Sequence, residues 1–185
     1  LPYPVRRIYD LAFTPDNARL LISASEIKAG EDDSPMVWFH SSTTLRVFDL
    51  ASRKILREHI LLQPTREEGC HIAVPFALTA DGKKVITMTP ECRLGVYDLD
   101  TWEVLGVMGG PYSWANIDLA ISPDDSLLAM AYQDKLELWN LSSGTLFKSY
   151  TNPADRVFLR KIDAEWSFIY QVSFSPDGKL LGTRF

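Results

Sequence analysis

The sequence predicts an all-β fold assembled as an array of small antiparallel sheets, and three observations predict it. One phrase recurs four times, as Leu11-Ala12-Phe13-Thr14-Pro15-Asp16, Phe76-Ala77-Leu78-Thr79-Ala80-Asp81-Gly82, Leu119-Ala120-Ile121-Ser122-Pro123-Asp124 and Val172-Ser173-Phe174-Ser175-Pro176-Asp177-Gly178. Self-similarity along a chain marks a repeat architecture. Each copy is a short alternating apolar strand running into Pro, Asp or Gly, the residue types that turn a chain. After each of the first three copies, three more strand-like runs follow in the same order. Every unit therefore holds four short strands joined by turns, which pair as one antiparallel sheet.

Within a unit the elements follow in order. The phrase supplies the first strand and its turn. The second strand is read from Leu20-Leu21-Ile22, Val85-Ile86-Thr87-Met88, Leu127-Leu128-Ala129-Met130 and Leu180-Leu181, apolar runs bounded by turn residues. The third closes on an aromatic followed by a polar residue, at Phe48-Asp49, Tyr97-Asp98 and Trp139-Asn140. The fourth covers 54–59, 103–108 and 145–150, reached through tight turns such as Leu141-Ser142-Ser143-Gly144.

Phe174-Ser175-Pro176-Asp177-Gly178 and Leu138-Trp139-Asn140 give the chain its resemblance to the WD-repeat β-propellers, a resemblance that extends from about Ile8 to Phe185. It implies that the sheets are blades. The repeats diverge from the family pattern: no His stands at the offset of the family's Gly-His pair, and Asp134 precedes Trp139 by five residues. The buried Asp/His/Ser/Trp network of the family is accordingly not expected.

Spacing locates the irregularities. Phe13 to Leu78 is 65 residues, Leu78 to Ile121 is 43 and Ile121 to Phe174 is 53, against ~40–45 for a plain unit. The expectation is one incomplete propeller domain over 1–185, a β-propeller portion of three complete blades (about 8–59, 72–108 and 115–150) plus the first two strands of a fourth (168–185). Such a portion is expected to be a fragment of a larger ring, or to be completed by another chain, because only closure hides sheet edges.

Composition bounds the function. With 46% hydrophobic and 23% charged residues, the 185-residue chain can form a sizeable core. A net charge of -5 argues against nucleic acid, because phosphate binding needs concentrated Lys and Arg. No apolar stretch reads as a signal peptide or a membrane span, so no membrane partner is expected. Two Cys make no disulfide framework, and a reducing compartment, cytoplasmic or nuclear, is the expectation.

The connections carry the functional signal. In a four-stranded blade the first-to-second and third-to-fourth turns share one face, while the second-to-third and fourth-to-first connections share the other. All turns of the first set are short. The long connections 26–40, 60–71 and 151–167 all belong to the second set, and insertions clustered on one face mark a binding face. Their candidate partner-binding residues are Trp38, Phe39, Arg66, Arg156, Phe158, Arg160 and Trp166, since Trp and Arg dominate interface hot spots. The competing reading makes Trp38, Phe39, Phe158 and Trp166 core residues.

Other chemistry is thin. If the hairpin of the second unit is centred between Ala80 and Asp81, Cys70 lies opposite Glu91 with Cys92 one step away. Adjacent strand residues point to opposite faces, so Cys70, His71, Glu91 and Cys92 do not converge on a metal. Reduced thiols are the expected state, with a disulfide or zinc as alternatives. There is no Gly-x-Ser-x-Gly elbow, phosphate loop or His-Glu-x-x-His motif, and no cofactor is expected. The function expected is a non-catalytic scaffold binding a protein or peptide on the long-loop face, with self-association through open propeller edges. The alternative is an accessory propeller that gates or regulates an enzyme, a peptidase or a signalling NTPase, whose catalytic domain lies elsewhere.

Overall fold

The computed structural model describes residues 5–26, 42–62, 74–112, 117–132, 135–151 and 171–184. Among these the fold is all-β. Sheet 1 pairs β1 (Val5–Phe13), β2 (Arg19–Glu26), β3 (Ser42–Asp49) and β4 (Lys54–Leu62) in chain order. Sheet 2 does the same with β5 (Phe76–Leu78), β6 (Lys84–Met88), β7 (Leu94–Asp98) and β8 (Val104–Met108). Sheet 3 holds β9 (Ile117–Ile121), β10 (Leu127–Tyr132), β11 (Lys135–Asn140) and β12 (Thr145–Thr151), and β13 (Gln171–Phe174) with β14 (Leu181–Arg184) makes the two-stranded sheet 4. All pairings are antiparallel. The chain divides into two compact units, residues 1–114 with sheets 1 and 2 and residues 115–185 with sheets 3 and 4.

The recurrent phrase builds the same turn four times. In each, a Ser or Thr hydroxyl donates to the Asp two residues on: Thr14 to Asp16 (2.5 Å), Thr79 to Asp81 (2.7 Å), Ser122 to Asp124 (2.6 Å) and Ser175 to Asp177 (2.7 Å). The same carboxylate accepts the N–H of Ala18, Lys83, Ser126 or Lys179. The hydroxyl oxygen in turn accepts the N–H that opens or precedes the next strand, from Arg19, Lys84, Leu127 or Leu180. One residue per turn is left-handed, Asn17, Gly82, Asp125 or Gly178, positions where Gly, Asn and Asp are tolerated best. The hairpin of sheet 2 pairs Leu78 with Val85. It is therefore centred between Asp81 and Gly82, one residue later than expected, because the left-handed residue is Gly82.

The aromatic–polar closure of the third strand has a similar logic. The polar residue caps the following turn: Asp49 accepts from Ser52 N–H at 2.6 Å, Asp98 from Thr101 N–H at 2.8 Å, and Asn140 from Ser142 N–H at 3.0 Å. Each turn then needs a left-handed residue, filled by Arg53, Trp102 and Gly144. Directly beyond, the register slips by one residue in all three complete sheets, between Val47 and Phe48, Val96 and Tyr97, and Leu138 and Trp139. The extra residue in the fourth strand is Leu56, Leu105 or Phe147, and all three are exposed.

Burial falls from the second strand outwards. Val85, Ile86 and Met88 of β6 are fully buried, as expected for a strand covered on both faces, whereas every residue of β12 is exposed. The core of the first unit gathers Leu21, Leu45, Val47, Val85 and Leu94. In the second unit Ala129, Ala131 and Val172 pack with Leu136, Leu138 and Phe174.

Candidate interaction surface

Every side chain singled out for binding, Trp38, Phe39, Arg66, Arg156, Phe158, Arg160 and Trp166, lies outside the described residues, as do Cys70 and His71. The strand ends from which their connections depart are described. In sheet 1, Glu26 pairs with Ser42 and Thr43 with Leu62, so the connections after β2 and β4 leave from one end of the sheet. In sheet 3 the third long connection departs at Thr151, beside Lys135 and, across β11, Tyr132, which is the corresponding end.

The opposite end of each sheet is chemically spent. The carboxylates of Asp16, Asp81, Asp124 and Asp177 are held below the usual range, first by the Ser or Thr hydroxyl and then by backbone N–H groups. Asp124, with the Ser126 hydroxyl as a second side-chain donor, falls to about 2. A cleft of about 310 Å³ lies between the first turns of sheets 3 and 4, lined by Ser122, Pro123, Asp124, Ser126, Pro176 and Asp177. Its acids already serve their own turns, so it offers a ligand few free acceptors.

Sheet-to-sheet junctions hold the features that sequence reasoning missed. Asp10 accepts the N–H of Leu11 at 2.8 Å and that of Phe76, on the neighbouring sheet, at 3.3 Å. Asp118 repeats this in the second unit: it accepts the N–H of Leu119 and, at 2.7 Å, that of Val172. Burial raises the pKa of Asp118 and the two N–H donors only partly offset it. The signal lay in the phrase: Asp10 and Asp118 both stand three residues before its apolar reference residue, Phe13 or Ile121. Between sheets 1 and 2, Ser23 Oγ also donates to Val74 O at 2.5 Å and Arg19 pairs with Asp100 at 2.6 Å. His59 stacks on Trp102 with ring centroids 3.7 Å apart and planes 6° from parallel, and Trp102 stacks on Tyr97 at 4.9 Å.

The expectation of reduced thiols is overturned. Among the described residues, Cys92 is disulfide-bonded. The adjacent-residue argument spoke against a four-ligand metal site and left a pair of thiols unconstrained. Cys92 occupies a left-handed turn position, φ 61°, which takes it out of the regular alternation on which that argument rested. Among the described residues no three His, Cys, Asp or Glu gather as for a metal, and no helix is long and apolar enough to cross a membrane.

No protein-family model matches the sequence, and no curated protein does. Solved structures match nearly all of it. Hydrazine synthase of Kuenenia stuttgartiensis aligns over 97% of this chain and 42% of its own with a TM-score of 0.62 and 17% identity. U3-55K aligns over 92% of this chain and 45% of its own (TM-score 0.60, 14% identity). The β-propeller domain of Cps50 (Swd1) from Myceliophteria thermophila aligns over 94% and 46% (TM-score 0.59, 14% identity). The fold is that of a partial β-propeller. Identity this low speaks to fold alone, and the chain spans less than half the length of each of these three chains.

Proposed function

We propose that the chain is part of a WD-repeat-like scaffold, without chemistry of its own, that binds a partner protein or peptide on the face carrying the long connections. One observation carries this reading: three connections lengthen at one kind of strand end, while every described turn at the other end is short and binds its leading Asp or Asn within the turn. Trp38, Phe39, Arg66, Arg156, Phe158, Arg160 and Trp166 supply the contacts, as buried aromatic and Arg anchors do in interfaces. The net charge of -5 favours a protein partner over nucleic acid. The test is an alanine scan of both faces against a partner recovered with the full-length protein, each variant first checked for folding. True hot spots on the long-loop face cost ~2 kcal/mol or more, and Ser143→Ala leaves binding unchanged. Losses confined to the short-turn face overturn the assignment.

A second reading has its own support. Hydrazine synthase, by its name an enzyme, shares this fold over 97% of the present chain, which suits a propeller that positions or gates a catalytic domain outside 1–185. Turnover chemistry in the full-length protein that is lost on deleting 1–185 favours this reading. Binding without turnover favours the scaffold.

A further inference from the structure

We propose that the His59–Trp102 stack is a pH-sensitive latch between sheets 1 and 2, closed while the imidazole is neutral and released when it takes a proton. Trp102 sits at φ 63°, a left-handed conformation that a bulky side chain rarely adopts. The equivalent position in sheet 3 is Gly144, φ 66°. Something must hold an aromatic residue there, and the structure shows what. The indole is flanked by Tyr97 of its own sheet and by His59 of β4, which crosses the junction to stack on it almost face to face.

The imidazole has a specific vulnerability. Its Nε2 is buried and has no hydrogen-bond partner among the described residues. In the imidazolium both ring nitrogens are N–H donors, so protonation fixes Nε2 as a buried donor without an acceptor, and an unmade buried hydrogen bond is unfavourable. It also sets a positive charge beside Arg57, two residues away on the same strand. Further charged groups at the junction are Asp98 and Asp100 in the turn of sheet 2 and Arg19 on β2, and Glu58 beside His59 is paired with Arg46 at 2.7 Å. Arg19 is paired with Asp100, and Asp98 is bound to the N–H groups of its own turn. Neither acid offsets the new charge: burial first, and Arg57 second, hold His59 below its ordinary value of 6.5. A group depressed in the fold contributes stability above its unfolded value that is lost as pH falls towards the folded one. The latch therefore loosens below about pH 6.5, a range in which histidine is the usual sensor.

The chain has three histidines, so a proton NMR titration can follow each ring, with His59 assigned by its loss in His59→Gln. The expected His59 midpoint lies below 6.5, and Trp102→Leu, which removes the stacking surface, moves it back towards that value. Amide exchange at Phe76, which bridges the two sheets, reports the junction. Its protection factor is expected to fall about tenfold or more between about pH 7.5 and about pH 5.5. In His59→Phe, which keeps a ring but accepts no proton, protection stays level over that range. An His59 midpoint at or above 6.5, or an equal loss of protection in His59→Phe, overturns the latch.

Discussion

Gly82 and Gly178 occupy the same turn position at φ 68° and 70°, yet they differ in what a side chain would meet. A methyl on Gly82 would lie 2.7 Å from Cδ of Pro15, whereas on Gly178 it would lie 3.5 Å from Cδ of Pro123. Gly178→Ala is expected to lose ~1–2 kcal/mol for left-handed backbone alone, and Gly82→Ala a further ~1–3 kcal/mol for overpacking against the proline ring. Chemical denaturation of both variants reads the difference; equal losses would show that sheets 1 and 2 shift to make room. The turn acids give an independent signature. Asp124 titrates near 2 in the fold against an ordinary 3.8, so its stabilisation is complete above about pH 4 and disappears as pH falls through about 2. Asp124→Asn should therefore flatten the dependence of melting temperature on pH between those limits, changing little at about pH 2 relative to the larger change at pH 7.

At the scale of elements, the two carboxylate bridges predict how neighbouring sheets come apart. Asp118→Ala strips the acceptor from a buried Val172 N–H and should cost ~1–3 kcal/mol. Asp118→Asn keeps an acceptor and removes the charge. Because burial raises the Asp118 pKa, the bridge is most stable below the ordinary carboxylate value and weakens as pH rises through the higher folded value. Asp118→Asn should thus hold neutral-pH stability at or above that of the parent, and a loss as large as that of Asp118→Ala would contradict the bridge. The strands themselves were legible, because the phrase carries both strand alternation and turn chemistry: β12 begins at Thr145 as read, and β3 ends at Asp49. The bridges were not, since an isolated Asp in an apolar strand looks like an edge residue until its partner, 54 or 66 residues away, is brought alongside. The hairpin centre of sheet 2 was missed by one residue because the bend falls on the fourth residue of the turn, Gly82, as it does on Asn17 and Asp125 in sheets 1 and 3.

For the chain as a whole, the end of each described sheet opposite its short turns was legible as a difference in connection length, but the residues proposed to bind are in connections whose chemistry has no periodicity to constrain it. The cysteines are the clearest whole-chain test. The chain purified without reductant should gain the mass of two hydrogens on reduction, and Cys92→Ser should lose roughly 2–4 kcal/mol of stability; an unchanged mass would restore the expectation of reduced thiols. The extra residue in each fourth strand has a different consequence. Leu56, Leu105 and Phe147 interrupt the spacing of backbone donors and acceptors along the edge of each complete sheet, and a kinked edge is a poor template for a foreign strand. These greasy knuckles thus keep strangers off: deleting Phe147 to straighten β12 is expected to hasten fibril growth, read by thioflavin fluorescence, even though it removes an exposed apolar ring.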